Sequence, residues 1–130
     1  MKVIALRLHP GDDVRAKLDS GLPGGVGAGF VLNAVGSLAT AMIRFAGAPA
    51  ATRIDGPLEV LSLSGTLTHD GCHLHAAVAD ARGAVTGGHV SAGCIVHTTL
   101  EIVIGITDEI AFAREHDAAT GYRELTIKPR

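Results

Sequence analysis

Between residues 58 and 106 apolar and polar side chains alternate with the period of two that marks β-strands. Leu61, Leu63 and Leu67 fall on one face, and Ser62, Ser64, Thr66 and Thr68 on the other. Asp70-Gly71 is a hairpin turn signal, and residues 73–80 form the next predicted strand. Ala81-Arg82-Gly83 reads as a three-residue loop, with glycine where a left-handed backbone is favoured. Residues 85–90 return. After Ala92-Gly93 a long strand runs from Cys94 to about Ile106. Its even face is Cys94, Val96, Thr98, Leu100, Ile102, Ile104 and Ile106; its odd face carries His97, Thr99 and Glu101. A short strand near residues 110–114 follows, and Leu125 and Ile127 mark a final edge strand.

The first half is less regular. Residues 3–8 read as a strand that His9-Pro10-Gly11 breaks. Asp12 or Asp13 caps a short helix whose apolar face holds Val14 and Leu18, and Gly21 is a natural stop. Residues 22–29 form a glycine-rich loop. Residues 30–35 and 38–45 are apolar, with Gly36-Ser37 between them. They fit two strands, or a strand and a helix, and periodicity does not choose. The expectation is an α/β (α+β) domain over residues 1–130: an antiparallel sheet with one or two helices covering a face. There is no internal repeat and no linker.

Composition narrows the function classes. At 130 residues the chain suits one domain, and 47% hydrophobic residues suffice for a core. Aromatics are 3%, which nearly excludes a platform for stacking bases. Net charge is −2, so the basic footprint of a nucleic-acid binder is missing. Two cysteines, Cys72 and Cys94, make no disulfide framework and fall on apolar faces as small core residues. The apolar run at the start is too short for a signal peptide, and no stretch is long enough to span a membrane. A soluble, cytoplasmic protein is expected.

Seven histidines are many for this length, and three of them gather. His73 and His75 are two apart, so both leave the same face of a strand, about 6–7 Å apart at Cα. If Asp80 pairs with Ala84 across the loop, His75 stands opposite His89. Three imidazoles then converge, which is a metal-ligand set with a fourth position open. Zinc is the first expectation, although iron, nickel or copper also accept imidazole. Gly87 and Gly88 are expected to leave space beside it. The alternative is a polar strand face, and a register slip by one residue would send His89 to the other side. His9, His69, His97 and His116 read as surface or turn residues, His97 least clearly.

Other motifs fall short. The run Gly24-Gly25-Val26-Gly27-Ala28-Gly29 lacks the spacing and the Lys-Ser/Thr of a phosphate loop. Ser62 and Ser64 lack the flanking glycines of a nucleophile elbow. Arg44, inside an apolar run, is either a cation paired with Glu59 or Glu101 or one that reaches out from a strand edge.

Several segments together are familiar: residues 58–65, His73-Leu74-His75, residues 80–89, Gly93-Cys94 and residues 99–104, with Arg7-Leu8, Pro10-Gly11-Asp12 and Val35-Gly36-Ser37-Leu38 leading to Arg44. They resemble the plants and prokaryotes conserved (PPC) domain over nearly the whole chain. The resemblance implies an α/β fold with an antiparallel sheet, similar to that of acetolactate decarboxylase, and a compact homotrimer. It also implies metal ligands at His73, His75 and His89. Stand-alone members are commonly labelled DNA-binding, a label that the missing Arg-Gly-Arg hook and the negative charge do not favour. The functional expectation is a trimeric, zinc-binding protein that takes a partner or small ligand. The alternative is a metal-dependent enzyme of lyase or hydrolase type, with Glu101, or less readily Glu59, handling protons.

Overall fold

The structure is a computed structural model that describes residues 1–20, Leu22 and residues 26–130. Gly21 and the Gly24-Gly25 pair of the glycine-rich loop lie outside the described residues. Among the described residues there are eight strands and one helix: β1 (Lys2–Leu8), α1 (Val14–Asp19), β2 (Ala28–Arg44), β3 (Thr52–Thr68), β4 (Gly71–Ala79), β5 (Val85–Val90), β6 (Ile95–Thr107), β7 (Ile110–His116) and β8 (Arg123–Pro129). Six form an antiparallel sheet in the order β1-β6-β2-β3-β4-β5; β7 and β8 form a separate hairpin. The helical share is smaller than expected. A single six-residue helix covers the sheet, and the two apolar runs around Gly36-Ser37 are one continuous strand of 17 residues.

The long strands curl the sheet onto itself. At its far end β2 leaves β6 and pairs with β5, Ile43 opposite Val90 and Arg44 opposite His89. This contact closes the loop β2-β3-β4-β5 around the core, where Ile43, Leu58, Leu74, Leu100 and Ile102 are almost fully buried. Removing such side chains from water is the main stabilising term, at about 1.5–3 kcal/mol each. The curl depends on close backbone approach. A Cβ on Gly65 would lie 2.0 Å from the His73 carbonyl oxygen, and one on Gly36 would lie 2.0 Å from that of Thr99. Both glycines also have positive φ, which other residues rarely adopt.

Bulges shift two of the expected faces. The β3–β4 register slips between Val60 and Ser62. Val60 and Leu63 therefore turn inward while Leu61 stays 55% exposed, against the simple alternation. The β2–β6 register slips around Gly36 and Leu38, and Thr98 leaves the apolar face to which parity assigns it. Thr68 is buried instead of surface-facing. Its hydroxyl donates to the Gly71 carbonyl (3.0 Å) and accepts from the Asp70 amide (2.9 Å), so burial leaves it satisfied.

Helix α1 is short but well anchored. Asp13 is its N-cap; Oδ1 accepts from the Ala16 amide at 3.0 Å and Oδ2 from the Gly93 amide at 2.7 Å. Val14 and Leu18 are buried beneath it. No helix among the described residues is long and apolar enough to cross a membrane.

Candidate metal centre

Alternation along β4 separates two chemistries. Cys72, Leu74, Ala76 and Val78 point into the core, and His73 and His75 point out. The turn closes as expected, with the Asp80 amide donating to the Ala84 carbonyl at 3.0 Å. That register places His75 opposite His89. The three imidazoles meet on the outer face of β4 and β5, with ring centroids 5.0, 5.2 and 5.9 Å apart. One ring nitrogen from each lies within 4.8 Å of the others. Tetrahedral zinc with nitrogen ligands at roughly 2.0–2.1 Å needs those atoms about 3.3 Å apart, so small side-chain rotations would close the set.

Two of the imidazoles, His73 and His89, are biased toward the neutral form that ligation requires. His89 is pushed down to about 4, first by partial burial and then by the positive charges of its surroundings, Arg44 and Arg15 among them. His73 is also lowered, by burial first and then by Arg114. Glu124 opposes this shift from across the cavity.

The expected role of the glycines is corrected. A Cβ on Gly87 would meet the Ala76 carbonyl oxygen at 2.7 Å, and one on Gly88 would meet that of Arg44 at 2.6 Å. They allow β5 to sit tightly between its neighbours rather than leaving open room. The room comes from elsewhere: an open cavity of about 810 Å³ beside His73 and His89. Arg15 of α1, Arg44 of β2, Asp70 of the β3–β4 turn, and Arg114, Arg123 and Glu124 of the β7–β8 hairpin all line it.

These lining groups are tied to the fold. Arg15 bridges α1 to two strands, donating to the Val90 carbonyl (3.1 Å) and the Cys72 carbonyl (3.3 Å). Its Nη1 also lies 3.4 Å from His89 Nε2. Asp70 accepts from the Arg114 amide at 3.1 Å, and Arg114 donates to the Thr66 hydroxyl at 2.6 Å. The hairpin is thereby docked on the β3–β4 corner.

Glu101 stands apart from this group. It lies on β6 opposite Arg7 and Val35, separated from β4 by β2 and β3 in the sheet order, and it does not line the cavity. Glu59 pairs in register with Ser37 and Ala79, also away from it. Arg44 is exposed and neighbours His89 rather than either carboxylate. Cys72 and Cys94 are free and buried. Burial, followed by the neighbouring Asp19, pushes the Cys72 thiol up to about 12, so it remains a protonated core group. His9, His97 and His116 are exposed away from the cluster, whereas His69 reaches the cavity rim beside Asp70. Arg44 stands out in sequence only as a cation in an apolar run, and Arg15, Arg114, Arg123 and Glu124 have no signature in local spacing, because they come from elements remote in sequence.

The comparisons with known proteins agree with this fold. Two Synechococcus proteins, strains JA-2-3B'a(2-13) and JA-3-3Ab, are described as bifunctional protein GlmU and are 47% and 46% identical to the chain. The matches cover 99% and 98% of this chain but only 21% of each relative, so the chain spans about a fifth of their length. A solved structure of a hypothetical protein from Salmonella cholerae-suis has a TM-score of 0.94 at 42% identity, covering 99% of this chain and 94% of that one. A metal-containing protein from Archaeoglobus fulgidus has a TM-score of 0.74 at 27% identity, covering 97% and 94%. The family model for the Plants and Prokaryotes Conserved (PCC) domain matches residues 1–108, and the chain belongs to that family.

Proposed function

We propose that this chain is a metal-binding member of its family, holding one divalent transition metal on His73, His75 and His89 and presenting it to a ligand in the adjoining cavity. The convergence of three ring nitrogens within 4.8 Å carries the reading. Zinc is the preferred ion, since three neutral imidazoles with an open position suit it. The archaeal relative described as metal-containing, similar over nearly its whole length, supports the presence of a metal. When bound, the metal would polarise a ligand oxygen or lower the pKa of a bound water. The chain's own contribution is to favour the neutral forms of His73 and His89, to fix the spacing of the three rings by the β4–β5 register and to keep one side open to the cavity.

We further propose that the chain assembles as a homotrimer, as expected from its family. Val35 and Leu61, adjoining on β2 and β3, and Val3 on β1 are more than half exposed, and association would remove them from water. An enzymatic role is the second reading. The open cavity favours it, with Asp70 or Glu124 better placed than Glu101 to exchange protons.

Elemental analysis after zinc loading and desalting tests the metal reading. About one equivalent per chain is expected. His75→Ala, which removes one of the three converging rings, should lose it, and His116→Ala should keep it. A His75→Ala protein that retained its full complement would overturn the assignment.

A further inference from the structure

The cavity beside the histidines is lined by more cationic than anionic groups. Arg15, Arg44, Arg114 and Arg123 face only Asp19, Asp70 and Glu124. The acids are largely committed. Asp19 accepts from the Cys72 amide and lies 3.3 Å from Arg15 Nε; Asp70 accepts from the Arg114 amide; Glu124 accepts from the Thr120 hydroxyl. The arginines are committed unequally. Arg15 spends its donors on Asp19, Cys72 and Val90, whereas Arg123 uses only Nη2, donating to the Arg114 carbonyl and lying 3.9 Å from Asp70 Oδ2. Arg114 uses only Nη2 of its guanidinium, on Thr66, and the Arg44 side chain has no hydrogen bond or ion pair among the described residues. Of the guanidiniums with unspent donors, Arg44 stands in register beside His89 and Arg114 is the one whose charge acts on His73.

Charge balance adds to this. Three imidazoles are neutral ligands and leave a dication's charge uncompensated. Arginines close to such a centre repel the ion unless an anion lies between them. A forked guanidinium matches the paired oxygens of a carboxylate or phosphate. The volume, about 810 Å³, falls within the range of roughly 300–1,000 Å³ typical of small-molecule sites.

We propose that this cavity is the site of a small anionic ligand bearing a carboxylate or phosphate group, held by Arg44 and Arg114 with an oxygen directed at the three-histidine centre. The contact with the metal rests on the reading given under Proposed function; the arginine clamp does not.

Calorimetric titration with inorganic phosphate and, separately, with succinate tests it on zinc-loaded and on metal-free protein. The two arms distinguish a phosphate from a carboxylate ligand. Metal-free protein is expected to bind one of them, and zinc loading to tighten that binding. Arg44→Gln should weaken it about tenfold or more in both forms without changing zinc content. Arg82→Gln, an exposed cation of the β4–β5 turn outside the cavity, should not change it. Arg44→Lys should keep part of the affinity. Equal affinity in wild type and Arg44→Gln, or no binding of either anion up to about 10 mM, would overturn the proposal. A protein that takes up no zinc but binds the anion through Arg44 would instead refute the metal reading and support the clamp.

Discussion

Arg15 Nη1 lies 3.4 Å from His89 Nε2, and the same guanidinium holds the carbonyls of Cys72 and Val90. One side chain of a six-residue helix therefore ties α1 to both strands that carry the histidines. Since arginine only donates, His89 Nε2 is the acceptor in the metal-free state. Arg15→Met removes the donor to two strand carbonyls and should cost about 1–3 kcal/mol in urea unfolding. His89 should also titrate at higher pH by NMR, because one of the charges disfavouring its protonation is gone. An unchanged His89 titration would contradict this.

Metal-free protein should lose stability in mild acid. His89 protonates at about 4 in the folded chain against an ordinary value of about 6.5 when unfolded, and His73 is lowered as well. Arg15 on α1, Arg44 on β2 and the imidazoles of β4 all oppose a charge on His89. Between those two pH values the unfolded chain binds more protons, so stability falls as pH drops from about 6.5 to about 4. Above that window the group contributes no slope. Urea midpoints at pH 7.5, 6, 5 and 4 check this; a stability that rose on acidification across the window would refute it.

Zinc should stabilise the fold, since its ligands come together only when β4 and β5 are paired. At a free zinc concentration about 100 times the dissociation constant, the gain is about 2.7 kcal/mol. A chelator should reverse it, and His89→Ala should remove most of it. Thermal unfolding with and without the metal measures both effects.

Leu74 lies between the two β4 histidines in sequence but faces the core with no exposed surface. Leu74→Ala should cost about 2–5 kcal/mol. Zinc stoichiometry in the protein that remains folded should hold, because the register that sets the site comes from backbone pairing. Loss of zinc from fully folded Leu74→Ala would show that core packing also sets the site.

Self-association is checked by light scattering. The expected mass is about three times the 13.3 kDa of one chain. Leu61→Glu, on the exposed face, should shift it downward without unfolding the domain. A mass of one chain for the wild type at micromolar concentration would end the trimer reading.

The strands that carry the histidines were legible because their determinants are local. Period-two alternation placed His73 and His75 together on one face, and Ala81-Arg82-Gly83 set the loop length that puts His75 opposite His89. Alternation failed at Leu61 and Thr98, because a bulge adds a residue without announcing itself in composition. The two apolar runs around Gly36-Ser37 were ambiguous for a similar reason. Gly36 reads as a break, but here it permits close approach of β6 within a continuous strand. Closure of the sheet by β2 and β5, and the arrival of Arg15, Arg44, Arg114 and Glu124 at one cavity, were decided by tertiary structure alone. Those groups come from a helix, a strand end and a C-terminal hairpin. What brings them together is the packing of distant elements on one curled sheet, which no local spacing encodes.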